Sequence, residues 1–297
     1  MNRRYPEFAA SLKRILGAEG TVEQPADLAE LDAVVRGFRA RNIDVVCVSG
    51  GDGTLHAVLT AMVAAYDEAP LPRVAILRAG TMNTVARGLG IRGTAIDILG
   101  FVVSRHATGS MPTIRRWLMG VDHQLYGFLF GTGLFAKFLD VYYEGSAPGP
   151  AKAAWLLCRA AGSSVIGGRL IRQIMTPYEG SVEIDGVTWP ADRWMMVMAG
   201  TTDDIGFGFR PFWKSLTHPG HLHVVGVATM NPLAVVREMP RMYRARQLRG
   251  QGIFDEAGET LVLRSQAPIT YALDGDFHQG GTELVVHAGP AVDFVVP

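Results

Sequence analysis

Ser49-Gly50-Gly51-Asp52-Gly53-Thr54 follows an apolar, β-branched run beginning at Ile43 and precedes Leu55 to Tyr66, whose apolar positions have helical spacing. A glycine turn between a buried strand and a helix gathers backbone amides and the positive end of the helix dipole, which suits an anion such as phosphate. Gly50, Gly51 and Gly53 let the main chain come close to phosphate oxygens. Asp52 would repel a phosphate, so its chemical reading is a magnesium ligand, directly or through water. Thr54 would cap the helix or bond a phosphate oxygen. A tight turn with an ordinary cap explains the same residues, and the segment is not a Walker A loop, because no Gly-Lys-Ser/Thr follows. A second loop, Arg78-Ala79-Gly80-Thr81-Met82-Asn83-Thr84-Val85-Ala86-Arg87, joins the short apolar strand Arg73 to Leu77 to another helix.

Such loops need a scaffold. Phe8, Leu12, Ile15 and Leu16 predict a helix from Tyr5 to Gly17, and Thr21 and Val22 a short strand. Pro25 and Asp27 open a helix that carries Leu28, Leu31, Val34, Val35 and Phe38 and ends near Arg41. The β and α segments alternate to about residue 100, which predicts a three-layer α/β domain with a mostly parallel sheet and its ligand site at the carboxyl ends of the strands. Beyond Met111 strand pairs dominate: Arg116–Val121 with Gln124–Gly131, and Ser181–Ile184 with Trp194–Ala199. His221–Val227, Thr260–Leu263, Ile269–Leu273, Glu283–His287 and Val292–Val296 read as further strands, and Ala151–Val165 and Leu233–Tyr243 as helices. The 297 residues thus divide into an α/β domain, 1–112, and a β-rich sandwich domain, 113–297.

Over residues 44 to 90 the two loops resemble the catalytic domain of the diacylglycerol and sphingoid lipid kinases, which carries Gly-Gly-Asp-Gly-Thr and then Gly-Thr-x-Asn-x-x-Ala-Arg. The resemblance implies an ATP- and Mg2+-dependent lipid kinase, with nucleotide bound by Gly50, Gly51, Asp52, Gly53, Thr54, Gly80, Thr81 and Asn83, and a β-sandwich completing the lipid site. It extends to Leu273-Asp274-Gly275-Asp276, which is similar to the family's Asp-Gly-Glu. Asp276 would then be the general base, with a side chain one methylene shorter. Asp274 would point to the other strand face. Without the family, the same residues read as a hairpin turn. The chain departs from the pattern in three places. It starts at Met1-Asn2-Arg3-Arg4 and runs into a helix where the family has a strand and an Asn-Pro-x-Ser/Ala-Gly loop. Thr84 replaces an acid, and Pro219 stands where an aspartate supplies a structural magnesium site.

Composition excludes several classes. The 28 basic residues cancel the 28 acidic ones, so nucleic acid is not an expected partner. Cys47 and Cys158 cannot form a disulfide framework, and Cys47 reads as a small core residue. No signal peptide follows Met1 to Phe8. Gln124 to Ala136 is too short to span a bilayer, and Arg159 interrupts Ala153 to Ile166. The expected location is the cytoplasm, with peripheral contact at the inner membrane face; a lipid substrate at that surface is the expected partner, and a homodimer is left open. Arg237, Arg241, Arg244, Arg246 and Arg249 face only Glu238 in their stretch, with Leu233, Val236, Met239 and Met242 as an apolar side. That reads as a solvated face of a packed helix or as an interfacial helix. His218, His221 and His223 read as a turn histidine and solvent-facing strand histidines more simply than as a zinc site. The rival functions are a noncatalytic lipid- or nucleotide-binding homologue and a nicotinamide dinucleotide kinase, whose second motif Gly80–Arg87 does not match.

Overall fold

The computed structural model describes residues 6–80, 83–134, 177–203 and 210–297. The chain divides into two units, Met1–Leu118 with Pro290–Pro297, and Met119–Gly289. The predicted helix Ala151–Val165, Cys158 and Thr81 lie outside the described residues.

In the first unit, α1 (Pro6–Leu16) and α2 (Leu28–Ala40) form as their apolar spacing predicts, and Asp27 caps α2 by accepting the Glu30 N–H at 2.9 Å. Thr21 and Val22 do not form a strand, because Gly20 and Pro25 bracket them and no neighbouring strand pairs with them among the described residues. β1 (Val45–Val48) runs parallel to β2 (Arg73–Ile76), in register from Val45 opposite Arg73 to Val48 opposite Ile76. α3 (Asp52–Tyr66) and α4 (Thr84–Gly88) follow the two strands. α5 (Ala95–Thr108), not singled out in the sequence, starts with a capping box between Thr94 and Asp97 and stops at Gly109, whose φ is 67°.

Alternation along β1 and β2 decides which helix covers which face. Val45, Cys47 and Ala75 pack with Phe101 and Val102 of α5, and burial pushes the Cys47 thiol up to about 12. Val46, Val48, Val74 and Ile76, which alternate with them, are buried as well. α1 packs on α5 and α2 on α3. The other neighbour of β2 comes from the far end of the chain, with Phe294 parallel to Val74. Beside it, Arg115 holds Asp293 through two 2.8 Å hydrogen bonds.

The second unit is a sandwich of two antiparallel sheets. β11 (Ile253–Gly258), β10 (Leu222–Val227), β9 (Met196–Gly200), β5 (Leu129–Gly133), β13 (Thr270–Leu273) and β14 (Asp276–Gln279) make one, in that order. β15 (Glu283–Val295), whose residues from Pro290 belong to the first unit, β12 (Thr260–Ser265), β6 (Tyr178–Ile184) and the short β7 (Val187–Thr188) make the other, with β3 (Thr113–Val121), which enters the unit at Met119, beside β15 and β4 (Leu125–Gly127). β8 (Arg193–Trp194) pairs with β6. Alternate residues Val182, Ile184, Leu261, Leu263, Leu284 and Val286 fill the space between the sheets.

Four sequence expectations change here. Gln124–Gly131 is two strands broken at Phe128, and Trp194–Ala199 is two broken at Met195. Met195 bonds instead to Val227 and Leu134. Glu283–His287 and Val292–Val296 are parts of the single strand β15, and β11 and β14 are additional strands. The methionines Met195, Met196 and Met198 are core. Among the described residues two helices complete the unit, α6 (Lys214–Thr217) and α7 (Pro232–Tyr243). Among the described residues no helix is long and apolar enough to cross a membrane.

Candidate active site

The two glycine loops meet at the carboxyl ends of β1 and β2. The Ala79 N–H donates to the Gly50 carbonyl at 3.2 Å, and the Leu77 N–H to Val48 at 2.9 Å. Gly51 and Gly80 touch through their main chains. A Cβ on Gly80 would overlap the Gly51 Cα and stand 2.9 Å from its nitrogen. The Asn83 side chain closes the second loop, accepting the Gly80 N–H at 3.2 Å and donating to the Gly80 carbonyl at 2.7 Å. Asn83 itself is left-handed, with φ of 49°, and stands just before α4. Arg78, also left-handed at φ 43°, donates to the Gly93 carbonyl at 3.3 Å and turns the chain out of β2.

Thr54 is not a cap. α3 begins at Asp52, three residues before Leu55, its N-cap is Gly51, and among the described residues no side chain caps it. The first N–H groups of a helix have no intrahelical acceptor, so this terminus is built to receive one from elsewhere. Asp52 and Gly53 lie in that first turn with Thr54, and the Asp52 Oδ1 accepts the Val85 N–H from the second loop at 3.3 Å. The carboxylate therefore joins the two loops and sits at the positive end of α3.

Asp276 belongs to the second unit, exposed at the start of β14. It closes a two-residue hairpin, Leu273 opposite Asp276, with positive φ at Asp274 (50°) and Gly275 (96°), the type I′ turn that Asp-Gly favours. Asp274 does not project from a strand face as expected. It sits in the turn, and its Oδ1 accepts the N–H groups of Phe128 and Leu129 at 3.0 and 2.9 Å. Its own N–H donates to the Leu129 carbonyl at 2.9 Å. This lock breaks Gln124–Gly131 into β4 and β5 and fixes the hairpin that carries Asp276.

Residues 4–111 match the family model of the diacylglycerol kinase catalytic domain. Over these residues the chain is similar to a diacylglycerol kinase catalytic domain. A solved diacylglycerol kinase structure from Bacillus anthracis str. Sterne aligns with a TM-score of 0.60 at 14% identity, over 93% of this chain and 83% of that one. A second structure from the same organism aligns with a TM-score of 0.66 at 14% identity, over 97% and 90%. At this identity the structures show the shared fold. None of the curated proteins matches the chain.

The segment around Pro219 holds a buried network that the sequence did not reveal. His223 is fully buried in β10, contrary to the solvent-facing reading. Its Nδ1 accepts the Lys214 N–H at 3.2 Å, so its Nε2 carries the proton and donates to Asp255 at 2.8 Å. Lys214 Nζ reaches the Asp255 carboxylate and carbonyl, both at 2.7 Å, and the Leu248 N–H donates to the second carboxylate oxygen at 2.7 Å. Burial holds His223 below the usual histidine range, against the opposing pull of Asp255. Burial alone would raise Asp255, but its bonds to His223, Leu248 and Lys214 outweigh that and lower it. Asp255 and Lys214 are remote in sequence, and no spacing marks them. Among the described residues no group of three or more histidine, cysteine or acidic side chains is placed to hold a metal ion.

Proposed function

We propose that this protein is an ATP-dependent lipid kinase that phosphorylates a hydroxyl of diacylglycerol or a related lipid, a sphingoid base or ceramide. The observation that carries the reading is the contact of two glycine loops at the uncapped N-terminus of α3, within the stretch similar to this family's catalytic domain.

In this reading the amides of Gly51, Asp52, Gly53 and Thr54 receive phosphate oxygens of ATP, and Gly80 keeps the second loop close enough for Asn83 to flank them. Asn83 acts by holding the Gly80 backbone. The Asp52 carboxylate is a hard oxygen donor of the kind magnesium prefers, and that ion would neutralise charge on the phosphates. Asp276 accepts the proton of the lipid hydroxyl, whose oxygen bonds to the γ-phosphorus as the bond from the γ-phosphorus to its bridging oxygen breaks and ADP leaves. The catalytic gain comes from positioning and charge stabilisation.

The deciding experiment incubates the purified chain with Mg2+, γ-labelled ATP and detergent-dispersed diacylglycerol, sphingosine or ceramide. Label in one of these lipids, lost in Asp52→Asn, is the expected result. Label in none, with ATP still bound, would favour a noncatalytic homologue.

A further inference from the structure

α7 turns outward what an amphipathic helix ordinarily packs inward. Asn231 caps it by accepting the Leu233 N–H at 3.0 Å, and Pro232 opens its first turn, so the helical phase is fixed from the start. Met242 is buried, and Val235 packs beside it against the methionine-rich core. Leu233, Val236 and Tyr243 are instead 43%, 41% and 51% exposed. At about 100° per residue they share one band of the helix with Arg237, Pro240 and Arg244, all exposed. The apolar side expected from the sequence is thus divided between two faces.

The charges divide as well. Glu238, the one acid in the stretch, faces inward, where it accepts the Arg249 N–H at 3.1 Å and pairs with Arg241 at 3.4 Å. The outer band therefore combines large apolar side chains with Arg237 and Arg244, which have no acidic partner among the described residues, and exposed Arg246 follows directly after it.

We propose that this band docks on an anionic lipid bilayer, with Leu233, Val236 and Tyr243 entering the boundary of the acyl region and Arg237 and Arg244 meeting headgroup phosphates. A convex band of this kind fits a fluid surface, which needs no shaped groove. Contact with a second copy across a two-fold axis would oppose arginine to arginine. The proposal takes its purpose from the lipid-kinase reading and its substance from the geometry of α7.

The test is cosedimentation of the full chain, without ATP, on vesicles of phosphatidylcholine alone or with phosphatidylglycerol. The expected result is binding that requires phosphatidylglycerol and weakens as salt is raised. Arg237→Gln with Arg244→Gln should lower the partition coefficient about thirtyfold, from roughly fivefold per basic residue. Leu233→Ser with Val236→Ser should lower it at least about tenfold. Both pairs point outward and should leave Tm unchanged, and Asp52→Asn should sediment like the wild type. Equal binding to both vesicle types, undiminished binding by either pair, or a dimer that the pairs convert to monomer would overturn the proposal. Lipid phosphorylation in detergent without vesicle binding would sink the docking alone; vesicle binding without phosphorylation of any lipid would sink the kinase reading alone.

Discussion

Gly51 and Gly80 stand in main-chain contact: the Gly51 main chain occupies the space a side chain on Gly80 would need, and a Cβ on Gly51 would stand 3.3 Å from the Gly80 Cα. Gly80→Ala should therefore push the loops apart at a cost of about 1–3 kcal/mol, the usual range for overpacking. Chemical denaturation measures the loss, and ATP binding should weaken with it. An unchanged denaturation midpoint would show that the loops separate freely.

Asp52 has two relationships that one substitution separates. Asp52→Asn keeps an oxygen to accept the Val85 N–H but removes the charge. Stability should stay near wild type while phosphoryl transfer falls by at least about a hundredfold. Near-wild-type turnover at saturating Mg2+ would remove Asp52 from the chemistry.

For the hairpin, Asp276→Asn should reduce turnover by about a hundred- to ten-thousandfold with ATP affinity nearly constant, and Asp276→Glu should retain far more activity. Asp274→Ala should behave differently. It strands the N–H groups of Phe128 and Leu129, so it should lower stability by about 1–3 kcal/mol and impair activity only through the displaced turn. Calorimetry and turnover on the same samples separate the two. Equal Tm losses from Asp274→Ala and Asp276→Asn would contradict the division of roles.

The buried network predicts destabilisation by acid, with a definite sign. His223 is held below its unfolded value, so the unfolded chain binds the proton more readily and stability falls as pH drops through the ordinary histidine range near 6.5. Protonation there would place a second donor against the Lys214 N–H. Asp255 is also held low; its contribution is present above the unfolded carboxyl value near 3.9 and is lost as pH falls below it. Urea titrations at pH 7.5, 6 and 5 should show the first loss, and His223→Gln should flatten it. A flat wild-type profile over that range would mean that another group compensates.

Local patterns made the first unit largely legible. Periodicity located α1, α2 and α3, and a β-branched run followed by glycines located β1 and its loop. The capping box of α5 and the Asp-Gly turn at Asp274 carried signals of the same local kind. Long-range contacts were not legible. Nothing near Phe128 says that Asp274 will take its N–H, and nothing near His223 says that Asp255 will face it, so both the strand break and the histidine's burial escaped a local reading. Leu233 and Val236 look like core in sequence because hydrophobicity does not state which way a helix faces.

β15 gives its residues 283–289 to the second unit and 290–295 to the first, where Phe294 lies beside Val74. During synthesis, β2 therefore leaves the ribosome long before its neighbour exists. The glycine loop between β1 and α3 can be made early, but the sheet beneath it stays open until the sandwich residues have also been translated. A nascent chain arrested before residue 290 should thus hold an incomplete first unit, even though every residue of both glycine loops is already present.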